Sequence, residues 1–171
     1  MSTSYIVALD REIRPASLFR SRLADLDLVI WRRTSGKIHV WEDRCPHRSI
    51  RLSAGRNMGA YVEGIYHGWQ FGEDGTVLSV PAEGGKAYPN ISAHVLDATV
   101  QDGVVWAALS GTAKAKTSFS GPIARPVHFA RPAAVVAAHL GGAGAEITPW
   151  GGTACMVYGT TEDPMAHHST L

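Results

Sequence analysis

The sequence is poor in cysteine and has no strong excess of either charge. Its 171 residues include two cysteines, Cys45 and Cys155. Two cysteines do not suggest a disulfide framework, so we expect a reducing compartment such as the cytoplasm. In that setting a cysteine near a histidine indicates a metal ligand or a reactive group. The 16 lysines and arginines against 15 acidic residues give a net charge of +1, without a long basic run. Nucleic acid is therefore not the expected partner.

Long apolar segments are also missing. Residues Met1 to Asp10 lack the basic start and apolar run of a signal peptide, and no uncharged apolar stretch is long enough to cross a membrane. We therefore expect a cytoplasmic chain without a membrane partner. The content of 45% hydrophobic residues nevertheless suffices for a packed core.

The chain lacks the alternation of strands and helices that a parallel sheet requires. Short apolar runs between turn residues predict an all-β fold, a small antiparallel β-barrel or sandwich. Four tryptophans on these runs are expected in the core, and His39 is expected to face solvent because it alternates with apolar neighbours. The predicted strands are Tyr5–Leu9, Leu26–Trp31, Ile38–Trp41, Tyr61–Ile65, Trp69–Phe71, Val77–Val80, a strand near Val95, and Val104–Leu109.

Composition divides the chain into three parts. Residues 1–110 form the predicted β domain, and residues 111–122 are a linker rich in small and polar residues. Residues 123–171 form a C-terminal extension that is either packed on the domain or partly disordered. Within it, Pro132–Leu140 predicts a short helix, since proline stands near its start and glycine after its end, and Ala154–Tyr158 predicts a strand.

Two segments carry the residues of a metal site. Cys45 and His47 are separated by one residue; 16 residues later come Gly64 and, after two more, His67. A thiolate and imidazoles from two loops suit a transition metal or an iron–sulfur cluster. With cysteine in place of Gly64, the spacing would be that of a Rieske centre, in which two cysteines hold one iron and two histidines hold the other.

The surrounding sequence resembles the Rieske domain of ring-hydroxylating oxygenases from about Tyr5 to Leu109. EDRCPHRSIRLSAG (residues 42–55) is similar to the first cluster-binding loop, YHGWQF (66–71) to the second, and VPAEGG and AYPN to the proline-containing segment that follows. The resemblance implies a small β fold with a two-loop cluster-binding subdomain and a 2Fe–2S cofactor. It also implies a reductase or an oxygenase component as the redox partner.

The same resemblance implies a role for each matching residue. Cys45 would be a thiolate ligand of the inner iron, and His47 and His67 would be the imidazole ligands of the outer iron. Trp69 would support the loops as a large apolar side chain. Gly64 departs from the pattern, because it stands at the position of the second cysteine and has no side chain with which to ligate.

Three outcomes follow from Gly64. The first is that no stable cluster forms. The second is that Cys45, His47 and His67 hold a single zinc or iron ion, and the third is that a ligand from outside completes a labile 2Fe–2S cluster. Nothing in the sequence positions Cys155 as that ligand.

We therefore expect a Rieske-type electron-transfer protein or oxygenase-related component with a degenerate motif. The alternatives are a binding or structural subunit without a cluster and a mononuclear metal site. A complete oxygenase is not expected, because about sixty residues follow Leu109, too few for a catalytic domain. Asp163, His167 and His168 near the end are interpreted as part of a solvated terminus rather than as an iron site.

Overall fold

A computed structural model describes residues 3–119, 123–124, 126–140, 145–152 and 154–159. Within these ranges the regular secondary structure is nearly all β-strand, with one α-helix, α1 (Ala133–Leu140), and three short 3-10 helices at Asp10–Glu12, Leu52–Ala54 and Pro81–Glu83. The strands are β1 (Ser4–Leu9), β2 (Leu18–Leu23), β3 (Leu26–Arg32), β4 (Ile38–Glu42), β5 (Arg56–Asn57), β6 (Val62–Glu63), β7 (Gln70–Phe71), β8 (Thr76–Val80), β9 (Lys86–Ser92), β10 (Val95–Leu96), β11 (Ala98–Gln101), β12 (Val104–Ala108), β13 (Val127–Phe129), β14 (Glu146–Pro149) and β15 (Cys155–Tyr158).

These strands form four antiparallel sheets. Two of them, with strand orders β1-β12-β11 and β10-β4-β3-β2, make the base of the fold. A third, with the order β5-β6-β7-β8-β9, stands on the base and is called the loop sheet here, because the two motif-bearing loops precede β5 and join β6 to β7. The fourth, β13-β15-β14, belongs to the C-terminal part. The prediction of an all-β antiparallel fold is confirmed.

Strand β3 is buried on both faces, which explains its nearly continuous apolar sequence. Leu28 and Ile30 point into a core between the two base sheets. Val29 and Trp31 point the other way, into a second core shared with the loop sheet. Because side chains alternate across a strand, one strand can serve two cores only if successive residues are all apolar.

The C-terminal part packs against the base through its described residues. Ile123 and Tyr158 join a third core with Ile6, on the outer face of β1. The Thr148 hydroxyl donates a buried hydrogen bond of 2.6 Å to the Ile6 carbonyl oxygen. The predicted helix and the last predicted strand are both present, as α1 and β15. The boundaries at residues 110 and 122 stay predictions, and Asp163, His167 and His168 lie outside the described residues.

The expectation that His39 faces solvent is wrong. The His39 side chain is only 6% exposed; its ring stacks on Trp31, with centroids 4.7 Å apart, and its Nε2 lies 3.6 Å from a Glu73 carboxylate oxygen. The alternation of His39 with apolar neighbours predicted the wrong environment, because the loop sheet covers the face of β4 that would otherwise meet water. Glu73, from the β7–β8 turn, also pairs with Arg33 at 3.2 Å and thereby ties the loop sheet to the base.

The expected core tryptophans are confirmed, since Trp31, Trp41 and Trp106 are fully buried and Trp69 is 7% exposed. The strand expected at Tyr61–Ile65 is only two residues long, because the chain leaves the sheet at Gly64 to form the second loop.

Tyr158→Ala tests whether the C-terminal part is integral to the fold. We expect a loss of about 3–5 kcal/mol in the free energy of unfolding, because the substitution empties a buried aromatic site. The measurement is denaturant unfolding, with Leu109→Ala at a 45% exposed site as the matched control. Equal stability of the two variants would mean that the C-terminal part contributes nothing to the core.

His39 should make stability depend on pH. Burial lowers the pKa of His39 from its usual 6.5, with a further lowering by Lys37, against a raising effect of Glu73. The unfolded chain therefore takes up the proton first, and stability is lost as the pH falls below about 6.5. Thermal unfolding between pH 8 and 5 should show a weaker loss in His39→Phe, which retains the aromatic stack. The control is His94→Phe at an exposed position. If the melting temperature of His39→Phe falls with pH as steeply as that of the control, another group causes the pH dependence.

Candidate metal centre

The first loop is closed by its own backbone around Cys45. The Cys45 amide donates to the Ile50 carbonyl oxygen at 2.8 Å, and the Ser49 amide donates to the Cys45 carbonyl oxygen at 2.8 Å. Ser49 has a left-handed backbone with φ of 58°, a conformation that is costly for a residue other than glycine. This tight turn turns the thiol of Cys45, 8% exposed, toward the core under the loop and brings His47 to the outer side.

A buried carboxylate braces this loop from behind. Asp43 accepts hydrogen bonds from the Ser53 amide at 2.7 Å and from the Ser53 hydroxyl at 2.6 Å, and it pairs with Arg51 at 3.3 Å. Arg44 donates to the Ser49 hydroxyl at 2.9 Å across the turn. The loop is therefore fixed at both ends by protein contacts.

The second loop joins β6 to β7. The Gly64 amide donates to the Trp69 carbonyl oxygen at 2.8 Å, which closes the loop at its base. His67 and Gly68 follow each other with left-handed φ angles of 61° and 64°, and this pair turns the chain back. Ile65, at 66% exposure, lies at the outer end of the loop. In both loops a buried position comes first and a histidine follows, which is half-buried in the case of His47 and exposed in the case of His67.

Gly55 allows the two loops to approach. A β-carbon on Gly55 would collide with the Glu63 carbonyl oxygen and lie 3.1 Å from the Cα of Gly64. The end of the first loop thus rests directly on the backbone from which the second loop starts.

The approach brings both histidines together. Their ring centroids are 5.4 Å apart with an interplanar angle of 59°. His47 also stacks on Trp69, with centroids 4.6 Å apart and planes 9° from parallel, and Trp69 in turn stacks on Tyr88. The supporting role expected for Trp69 therefore has a geometric basis, because its ring contacts a predicted ligand residue.

The residues fit the family's metal group only in part. Two imidazoles on one tetrahedral ion have ring centroids about 5 Å apart, given metal–nitrogen distances of about 2.0–2.1 Å, so the spacing of His47 and His67 suits a shared ion. Cys45 is the thiol of the first loop. Gly64, in contrast, offers no donor atom, so the second thiolate of a Rieske centre has no counterpart.

Other donors do not complete the set within the described parts of the chain. No group of three or more potential ligand side chains stands preassembled there. Cys155 is fully buried in a different core, beside Val136 and Val157 of the C-terminal part. Glu63, next to the missing ligand, lies 3.9 Å from Arg56.

Sequence reasoning proposed the ligand positions but missed the residues that shape the loops. The left-handed backbone of Ser49 and the bracing carboxylate of Asp43 carried no signal, since neither residue type is unusual in a polar loop. Gly55 was inside the matching segment and had a readable cue, because a glycine at a loop end often marks a close backbone approach.

A family comparison agrees with this geometry. Residues 3–95 match the family model described as the Rieske [2Fe-2S] domain. The chain belongs to this family.

Among curated relatives, the chain is 33% identical over 105 residues to a 4beta-methylsterol monooxygenase of Methylococcus capsulatus, covering 60% of this chain and 28% of the relative. It is 41% identical over 64 residues to the oxygenase subunit of a phthalate 4,5-dioxygenase of Pseudomonas putida, covering 37% of this chain and 15% of that protein. The chain thus spans less than a third of the length of these relatives.

Solved structures support the fold. Dicamba monooxygenase superposes with a TM-score of 0.82 at 15% identity, covering 91% of this chain and 74% of that one. NdmB of Pseudomonas putida gives a TM-score of 0.74 at 19% identity, with 91% and 72% coverage. No helix in the described ranges is long and apolar enough to span a membrane.

The left-handed backbone at His67 makes a testable difference between two substitutions. His67→Ala and His67→Gly both remove the imidazole, but only glycine adopts φ near 61° without steric cost. We expect the glycine variant to be more stable than the alanine variant by about 1 kcal/mol, measured by denaturant unfolding without metal. The control compares the stability of Gly152→Ala with that of wild type, since Gly152 has no positive φ. If His67→Gly is less stable than His67→Ala, the left-handed backbone at position 67 is contradicted.

Proposed function

We propose that this chain is an oxygenase-related component of the Rieske type, which meets a redox partner through the end formed by its two loops. The observation that carries the proposal is the placement of Cys45, His47 and His67 on two facing loops of a Rieske fold, with the imidazole rings 5.4 Å apart. The names of the curated relatives, which include monooxygenases and an oxygenase subunit, support the same role.

The loop end has the surface that such a contact needs. Ile65 and Tyr66 are large apolar side chains at 66% and 40% exposure, directly beside His67. Arg44 and Arg48 flank the motif of the first loop and are both exposed. An apolar centre with a basic rim suits an acidic face on a reductase or an oxygenase, and the charges would act mainly on the rate of association.

The metal content is the finer part of the proposal. The family's 2Fe–2S group supplies one-electron transfer when bound. In this chain Cys45 would hold the inner side of the site, while His47, oriented by its stack on Trp69, and His67 would hold the outer side. A cluster here would need a further ligand from outside and would be labile, because ligand number and type set affinity. A reducing compartment such as the cytoplasm would keep Cys45 and Cys155 as the free thiols of the structure.

A mononuclear zinc or iron site is the second candidate. One thiolate, two imidazoles and a water make an acceptable shell for zinc, and the spacing of the two histidine rings favours a shared ion. A subunit without metal is the third, favoured by the packing of the loops through Asp43, Gly55 and Trp69, which needs no metal.

Anaerobic reconstitution of the wild-type chain with iron, sulfide and a small thiol separates these candidates. We expect a coloured iron–sulfur species that becomes EPR-active on reduction and that is lost when the thiol is removed by gel filtration, since an outside ligand would leave with it. Cys45→Ala and His67→Ala should form less of it, and Arg56→Ala, outside the ligand set, should form as much as wild type.

A colourless protein with less than one iron per chain in the presence of thiol would contradict an electron-transfer role. One zinc per chain, bound by wild type and lost in His67→Ala, would favour the mononuclear site instead. If Cys45→Ala combined with His47→Ala melts like wild type in the presence of every metal tested, the subunit without metal is favoured, since a ligand that binds the native state raises its stability.

A further inference from the structure

The chain departs from its family at one position of the site, Gly64. We infer that position 64 is still shaped to carry the fourth ligand and lacks only the side chain. Its backbone conformation, its burial and the free space around it would all accommodate a ligating residue. The inference rests on the proposed function in one respect, namely that these two loops are the metal-binding ones.

The backbone of Gly64 does not use the freedom of glycine. Its φ lies outside the left-handed region, unlike that of Gly68 in the same loop, where φ is 64°. An L-residue at position 64 would therefore meet no backbone strain. Nothing in the local conformation requires glycine at this position.

The surroundings of Gly64 also leave room for a side chain. A β-carbon there would lie 3.6 Å from the Trp69 carbonyl oxygen and 3.7 Å from Cε2 of Phe71, which are ordinary van der Waals distances. Gly55 provides the contrast within the same site, since a β-carbon on it would collide with the backbone of Glu63. Glycine is thus demanded by packing at position 55 and not at position 64.

The environment of position 64 matches that of Cys45. Both positions are buried, and each is followed within three residues by a histidine, the half-buried His47 or the exposed His67. Each is anchored by its own amide, which donates at 2.8 Å to a carbonyl oxygen later in the same loop, that of Ile50 in one case and of Trp69 in the other. The hydrogen bond of Gly64 involves only backbone atoms, so a cysteine would retain it.

These observations predict that one substitution completes the site. Gly64→Cys would add a second thiolate at a buried position, in addition to that of Cys45, leaving His47 and His67 for the outer iron, which is the ligand set of a Rieske 2Fe–2S group. In the wild-type chain the inner side of the site has a single thiolate. Retention of iron should therefore differ sharply between the two proteins.

The test compares the full-length wild type, Gly64→Cys and Gly152→Cys after anaerobic reconstitution with ferric iron, sulfide and thiol, followed by gel filtration. Gly152 is the matched control, because it is exposed, has no positive φ and has nothing within 4 Å of its β-carbon position, so it adds a thiol away from the ligand loops. We expect about two irons and two sulfides per chain in Gly64→Cys, with an EPR signal on reduction, and less than one iron in the other two.

Gly64→Ala tests the space at position 64 independently of metal. Its melting temperature without metal should equal that of wild type, whereas Gly55→Ala should melt much lower. A large drop in Gly64→Ala would overturn the inference, and so would a folded Gly64→Cys that retains no iron. Adding Cys45→Ala to Gly64→Cys should abolish retention, and retention in that double variant would also overturn it.

The result for wild type separates this inference from the proposed function. If wild type itself retains two irons after gel filtration, position 64 is not the missing ligand and the inference fails, while the electron-transfer role gains support. If wild type forms no iron–sulfur species even with thiol but Gly64→Cys retains a stable one, the inference holds and the electron-transfer role of the natural chain fails.

Discussion

The packing of the loop sheet onto strands β3 and β4 is the constraint on which the rest of the structure depends. Val29, Trp31 and Trp41 of the base meet Val62 and Phe71 of the loop sheet in one buried core, and Cys45 joins its edge. Burial of this size contributes roughly 1.5–3 kcal/mol for each large apolar side chain. Apolar contact therefore sets the position of both loops and with it the position of the predicted metal ligands.

The sequence predicted those parts of the fold whose signal is local. The apolar runs of β3 and β4 were readable, because β-favouring residues mark them. Strand β2 was missed, since arginines interrupt its apolar residues, and β9 was missed because it is an exposed edge strand that contains Pro89. His39 was misplaced because the sheet that covers it comes later in the chain.

The candidate site was likewise predictable from the sequence only where its signal is local. Spacing predicted Cys45, His47 and His67 as ligands, and the absence of a side-chain donor at Gly64 is visible in the sequence itself. Whether glycine is required at a position depends on atoms from elsewhere in the chain, as the opposite situations of Gly55 and Gly64 demonstrate. The sequence offers a different cue at each glycine, a loop end at Gly55 and a ligand position at Gly64, but it does not show which of the two has room for a side chain.

The contact between Gly55 and the start of the second loop has a thermodynamic consequence. In zinc fingers the metal folds the chain, so that binding and folding are one process and chelation unfolds the protein. Here backbone contact orders the two predicted ligand loops when the chain folds. Ion binding would therefore not carry the entropic cost of ordering them. Folding would thus not require loading of this site, although a bound ion would still stabilise the native state.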